Sequence, residues 1–294
     1  MTARPFAFKR DFMRIGELEI DNYRGHNDDG NWLRPIWEYA YYHPLRDDEH
    51  MDRWRVWEED GEIVGVIHYE WFLGEAYVQT FGDHLRLVPE MLDYAESEMR
   101  GRDAGGNEFL KVWAPDVITD FVEELRRRDY VRNEGEDRPL FGIDLTSPLE
   151  YAVPDGFTLQ SLADDNDVAK INRCLWRGFN HEGEPESTLS SRVQMQQAPH
   201  FQHDLTMTVA APTGEYVAFA GTWVEPSAGY AVVEPVATDP EYRRMGLGRA
   251  AVLGGLERCA AEGAKIGFVG SSQQFYKSIG FRLINNEECW TKHW

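Results

Sequence analysis

Between Phe157 and Ile284 the apolar positions switch repeatedly between strand-like runs and helix-like spacing. Phe157-Thr158-Leu159 predicts a strand, and Asp164 to Phe179 a helix with Val168, Ile171, Cys174 and Leu175 on one face. Met207–Ala211 and Tyr216–Trp223, β-rich runs split by Pro-Thr-Gly, predict a hairpin. Tyr230–Ala237 predicts another strand, followed by a loop and a helix over 247–262 that stops at Gly263. A strand at Lys265–Val269, a short helix at Gln273–Ser278 and a strand at Phe281–Ile284 close the series.

The first half carries a fainter copy of this order. Trp54–Glu58 and Ile63–Trp71 flank Asp60-Gly61, a hairpin turn, and Ala76–Phe81 predicts a third strand. Pro89–Met99 predicts a helix, and Phe109–Trp113, Val117–Arg127 and Leu140–Leu145 follow as strand, helix and strand. Turn chemistry at Thr146-Ser147-Pro148 and Pro154-Asp155-Gly156 separates the copies. The expected fold class is α/β, a mixed sheet in two tandem domains, residues 1–150 and 151–294.

Composition narrows the function. The 294 residues carry 51 acidic and 30 basic side chains, a net charge of −21, which excludes a general nucleic-acid binder. No apolar run approaches the length that spans a bilayer. The opening MTARPFAFKRDF lacks a signal-peptide core, so a soluble cytoplasmic protein is expected. Three widely spaced cysteines, Cys174, Cys259 and Cys289, fit neither a disulfide framework nor a zinc site. Residues 1–154 hold 34 acidic against 18 basic side chains, so a cationic small-molecule partner is favoured there.

One stretch reverses the sign. Arg243-Arg244-Met245-Gly246-Leu247-Gly248-Arg249 holds three arginines and no acid, between a predicted strand and helix. Glycines at 246 and 248 let backbone approach a ligand, and the unpaired amides of the helix start, through Ala250, suit a pyrophosphate. A Walker loop is absent. Gly246-Leu247-Gly248-Arg249-Ala250-Ala251 does satisfy a dinucleotide fingerprint, but the loop 238–245 precedes it and no acid ends the next strand. A tight turn without a ligand is the bland alternative.

Arg243 to Gly248 resembles the Arg/Gln-x-x-Gly-x-Gly/Ala motif of the GNAT superfamily of N-acetyltransferases, and Phe275-Tyr276-Lys277-Ser278-Ile279-Gly280-Phe281 resembles its second motif, Tyr-x-x-x-Gly-Phe. The resemblance covers about 157–284 and implies an acyl-CoA N-acyltransferase fold. It also implies acetyl-CoA as cosubstrate, no metal, and direct attack by a primary amine in a ternary complex. By the same resemblance Val236, Ala237, Thr238, Arg243, Arg244, Met245, Gly246, Leu247, Gly248, Arg249 and Ala250 contact the cofactor. Pro235, which has no N–H, gives a physical reason for the preceding strand to part from its neighbour.

Tyr276 is the candidate general acid for the departing thiolate. Glu234, at the end of the strand that enters the loop, is the candidate base; an electrostatic anchor or a structural acid is the other reading. Many family members carry the base two positions earlier, where this chain has Val232. Trp176, Phe179 and His181 are candidate acceptor contacts, or core residues of an amphipathic helix. His200 and His203 have metal-ligand spacing but no third ligand nearby. The aromatic segment Asn31–Pro44 fits either packing between the copies or a ligand surface, and the charge runs 46–49 and 126–128 read as solvated helix faces. In the first copy, Gly82-Asp83-His84-Leu85-Arg86-Leu87-Val88-Pro89 has no Gly-x-Gly, so that copy is expected to bind no CoA. A non-catalytic acyl-CoA sensor remains the alternative to an enzyme, and the motifs do not fix acyl length or exclude an O-acceptor.

Overall fold

The computed structural model describes residues 1–185 and 189–294. The first half runs β1 (Thr2–Pro5), α1 (Phe8–Asn22), α2 (Arg34–Tyr42), β2 (Arg55–Glu59), β3 (Glu62–His68), β4 (Glu75–Thr80), α3 (Val88–Glu98), β5 (Gly101–Arg102), β6 (Glu108–Pro115), α4 (Thr119–Arg127), β7 (Val131–Arg132) and β8 (Arg138–Asp144). The second runs β9 (Thr158–Ser161), α5 (Val168–Gly178), α6 (Ser190–Met195), β10 (Met207–Ala210), β11 (Tyr216–Glu225), β12 (Tyr230–Thr238), α7 (Leu247–Ala261), β13 (Ile266–Val269), α8 (Gln274–Ser278) and β14 (Arg282–His293). Apart from the two-residue β5, the two halves repeat one order: strand, two helices, three strands, helix, strand, helix.

One sheet crosses the whole molecule in the order β1-β2-β3-β4-β6-β14-β8-β13-β12-β11-β10-β9. The neighbours are antiparallel except at two places, β4 with β6 and β12 with β13. At the centre the halves trade strands. β8 leaves the first half and pairs with β13, Phe268 opposite Gly142, while β14 runs back to pair with β6, Cys289 opposite Trp113. Between them Arg138 lies in register with Glu287. Division of the chain near residue 150 therefore separates the repeats in sequence but not in the sheet.

Each half has its own core. Trp37, Trp54, Trp57, Ile67 and Met91 anchor the first; Val217, Val233, Val252, Leu256 and Phe281 anchor the second. α7 is buried nearly all round, as a helix with apolar residues on every side must be. A third cluster fills the seam, where Leu33, Ile36 and Tyr39 of the aromatic segment pack on Trp223, Tyr230, Val232 and Phe268. That segment joins the halves. Arg34 pairs with Glu225 and Glu38 with His200 across the same seam.

Three expectations change in detail. The last strand reaches His293 rather than Ile284. The run 46–49 lies outside any helix, whereas Arg126 and Arg127 do end α4. Helices α1 and α2 precede the first hairpin; they add Phe12, Ile15, Trp37 and Ala40 to the first core, and Ile36, Tyr39 and Tyr42 of α2 pack on the seam.

Candidate functional site

The site begins where β12 leaves β13. Their parallel pairing covers Tyr230, Ala231 and Val232 and then stops, so the edge of β12 from Val233 to Thr238 is free of that neighbour. The next residues are Glu234 and Pro235, joined by a cis peptide bond. On the other side the β11 register shifts between Ala220 and Thr222. Gly221 sits at that shift because a Cβ there would lie 2.3 Å from the Glu234 carbonyl oxygen. The same carbonyl accepts the Trp223 indole N–H at 2.9 Å.

Beyond the kink the ladder with β11 resumes. Asp239 N–H donates to Val217 C=O at 2.9 Å. Antiparallel strands present alternate amides to a given neighbour, so Ala237 N–H also belongs to β11 and the amides of Val236 and Thr238 face the open edge. Arg177 of α5 pins the end of the strand through Asp239, with its Nη2 3.1 Å from Oδ1.

The loop then turns into α7 through Arg244 and Gly246, both at positive φ, 65° and 85°. Gly246 caps the helix, and the first intrahelical bond runs from Ala250 N–H to Gly246 C=O at 2.9 Å. The amides of Leu247, Gly248 and Arg249 precede that bond and end on a cleft of about 790 Å³. Gly248 is required by packing, since a Cβ would stand 2.7 Å from Thr238 Oγ1.

Val236, Ala237, Thr238, Arg243, Arg244, Gly246, Leu247, Gly248, Arg249 and Tyr276 all line this cleft. Met245 is exposed and Ala250 is buried, and neither lines it. The arginines differ in freedom. Arg243 donates to the carbonyls of Thr238 and Gly178, and Arg249 to Glu150 C=O at 2.6 Å. Among the described residues Arg244 makes no ion pair or side-chain hydrogen bond, which leaves it available to an anion. Phe179, half exposed, also lines the cleft. Trp176 and His181 stand apart, ring against ring at 4.5 Å, with the indole N–H donating to the carbonyls of Glu182 and Gly183.

Next to Tyr276, which lines the cleft, lies a group of titratable side chains that do not line it themselves. Burial, with the charge of nearby Glu70, pushes the Glu234 carboxyl up to about 7, while Arg138 and a hydrogen bond from the Tyr39 phenol act the other way. Tyr276, 7% exposed, is driven above the ordinary phenol value by burial and by the charge of Glu234, so these two groups sense each other. Arg138 donates to Glu70 at 2.7 Å and to the Tyr77 hydroxyl. Tyr39, Glu70, Arg138 and Glu287 carry no motif. Tyr39, Glu70 and Arg138 meet Glu234, and Glu287 meets Arg138, only because α2, the end of β3, β8 and β14 converge at the seam.

The first half lacks the same opening. β4 and β6 also part after a short parallel ladder ending at Tyr77 and Trp113. Gly30, Asn31 and Trp32 bridge that gap: Asn31 donates to Thr80 C=O at 3.1 Å and Trp32 N–H to the Gln79 side chain at 2.8 Å. A Cβ on Gly30 would lie 2.6 Å from Pro115. The start of α3 is occupied as well, because Leu87 N–H bonds to His84 C=O and Pro89 has no amide hydrogen.

Other candidates are absorbed by packing. Cys259 is fully buried and its thiol is pushed up to about 12 by burial. His200 bonds to Glu38 and contacts Arg34. Among the described residues no group of three or more His, Cys, Asp or Glu side chains is arranged to hold a metal, and no helix is long and apolar enough to cross a membrane.

Residues 167–281 match the acetyltransferase (GNAT) family. No curated protein matches the sequence. Among solved structures, the chain is similar to a GCN5-related N-acetyltransferase from Sphaerobacter thermophilus, with 15% identity, TM-score 0.64, and 99% of this chain and 95% of that one covered. It is similar to a tandem GNAT protein from the clavulanic acid biosynthesis pathway at 13% identity, TM-score 0.61, and 99% and 98% coverage. It also resembles N-myristoyltransferase from Saccharomyces cerevisiae, solved with bound myristoyl-CoA, at 10% identity, TM-score 0.57, and 99% and 78% coverage. Likeness at such identities is likeness of fold.

Proposed function

We propose, on the premise of the match between residues 167–281 and the acetyltransferase (GNAT) family, that the protein transfers the acetyl group of acetyl-CoA to a primary amine. The observation that carries this reading is the free edge of β12, which leads from the half-buried carboxyl of Glu234 to the unspent amides of α7. The cleft fits the cosubstrate. Leu247, Gly248 and Arg249 offer N–H donors and Arg244 a free guanidinium for a pyrophosphate, and Val236 and Thr238 line the same cleft, where the pantetheine arm runs in this reading. A fold neighbour holds myristoyl-CoA, which supports acyl-CoA as the donor class. When bound, acetyl-CoA supplies an activated thioester.

Glu234 takes a proton from the incoming ammonium, directly or through one water, and its raised pKa suits that task at neutral pH. The outward amides of Val236 and Thr238 polarise the carbonyl that the amine attacks. As the C–N bond forms and the C–S bond breaks, Tyr276 gives its phenolic proton to sulfur and regains one from the new amide nitrogen. One proton leaves through Glu234, and the balance is ammonium plus thioester to amide, thiol and a proton. We assign this chemistry to residues 151–294. Residues 1–150 bind no CoA in this reading, because Gly30–Trp32 bridge the equivalent gap; they wall the acceptor side through Tyr39, Glu70 and Arg138.

The test is calorimetric titration with acetyl-CoA followed by thiol release across a panel of amines. Tyr276→Phe is expected to lower kcat by a factor of about 10²–10⁴ with acetyl-CoA affinity preserved, the range for removal of a general acid. Tight acetyl-CoA binding without turnover on any amine would identify a sensor instead.

A further inference from the structure

Away from the cofactor cleft, the seam encloses a narrow cavity of about 60 Å³ lined by Asn27, Ile36, Arg138, Val232, Phe268 and Glu287. Two of its lining residues lead towards Glu234, which does not itself line it. Val232 lies two residues before Glu234 on the same face of β12, and Ile36 lies one turn before Tyr39, which bonds to Glu234. The volume admits a slim chain of a few heavy atoms and excludes a ring system or a folded peptide.

Charge around this space is unbalanced. Glu70, Glu234 and Glu287 face one cation, Arg138, whose guanidinium is engaged with Glu70 and Tyr77. Glu287 stands 3.8 Å from Arg138 Nε, beyond hydrogen-bond reach, and keeps 23% of its side-chain surface open. Arg192 of α6 lies beyond Tyr39, where its Nε donates to Asn172. An independent feature points the same way. Asn27 is 8% exposed, lines the same cavity, and its Oδ1 accepts no hydrogen bond among the described residues. A buried acceptor without a donor is costly, and carboxylates short of a countercharge are costlier. Burial, reinforced by the charge of Glu70, also pushes the Glu287 carboxyl up to about 7, while Arg138 acts the other way. Among the residues that line the cavity, Asn27 Oδ1 and the Glu287 carboxyl are acceptors suited to N–H donors and positive charge.

We propose that the acceptor is a slim dication, a short linear diamine or the diamine end of a longer chain, with its reacting nitrogen at Glu234 and its second ammonium held by Glu287 and the Asn27 side-chain oxygen. This rests on the acetyltransfer reading for the reacting nitrogen; the second ammonium loses and gains no bond. An acidic or neutral acceptor leaves Glu234 and Glu287 to share Arg138 with Glu70, so selectivity arises from rejection as well as attraction.

Calorimetry on the full chain at about pH 8, with diaminobutane and diaminopentane set against butylamine and pentylamine, tests the proposal without turnover. The diamines are expected to bind at least about tenfold more tightly than the matched monoamines. Glu287→Gln is expected to bring that ratio to within about twofold while acetyl-CoA affinity is unchanged. Equal affinity of diamine and monoamine for the wild-type protein overturns the proposal whether or not the variant folds, as does a Glu287→Gln protein that keeps the preference. Thiol release on the same amines reads the underlying function separately: diamine preference without release sinks acetyl transfer, and release with monoamines as efficient as diamines sinks the dication.

Discussion

Glu234 must be unprotonated to accept a proton, and its surroundings place that change at about 7. The limb of kcat/KM governed by this group is therefore expected to rise as pH increases through about 7, measured as thiol release with acetyl-CoA below saturation. Glu70→Gln removes a negative neighbour, makes the Glu234 proton easier to lose, and moves the limb to lower pH. Movement of the limb to higher pH in that variant would remove Glu234 from the role of base. Tyr276 is raised above its ordinary value and stays protonated throughout this range, so it adds no limb near neutrality. At this scale the sequence was informative where chemistry is local. Arg243 to Gly248 and Tyr276 stand in motifs, and Glu234 precedes the proline that interrupts its strand. Tyr39, Glu70, Arg138 and Glu287 sit in unremarkable surroundings along the chain and gain meaning from tertiary convergence alone.

Among the elements, the start of α7 and the edge of β12 form one device held at fixed spacing by Gly248. Gly248→Ala puts a methyl 2.7 Å from Thr238 Oγ1, so that hydroxyl has to rotate away or the helix has to move off the strand. Such overpacking costs about 1–3 kcal/mol, and acetyl-CoA affinity is expected to fall by about tenfold or more in calorimetry. Unchanged affinity would mean that the cosubstrate does not use this junction. Apolar periodicity identified most strands and helices here because each buries one face. It missed the reach of β14, since Asn285-Asn286-Glu287-Glu288 reads as a loop while its polar groups in fact serve the seam. It also placed a helix at 46–49, where charge alone carried the reading.

For the molecule as a whole, the exchange of β8 and β14 decides how the halves depend on each other. A fragment of residues 151–294 loses the β8 partner of β13 and leaves a hydrophobic edge open. That fragment is expected to aggregate when made alone and to become soluble when made together with residues 1–150. The intact chain is expected to unfold in a single calorimetric transition, and two separated transitions would show that the halves are independent after all. The tandem repetition was legible in the sequence because each copy has the same order of elements. The exchange was not, because periodicity marks a strand without naming its partner.

The position of β14 has a consequence for synthesis. The first repeat leaves the ribosome with β6 unpaired on one side, and its missing neighbour is translated only after the entire second repeat. Early closure of the leading repeat is therefore unavailable to the nascent chain, which must keep an open β-edge shielded until the trailing segment arrives.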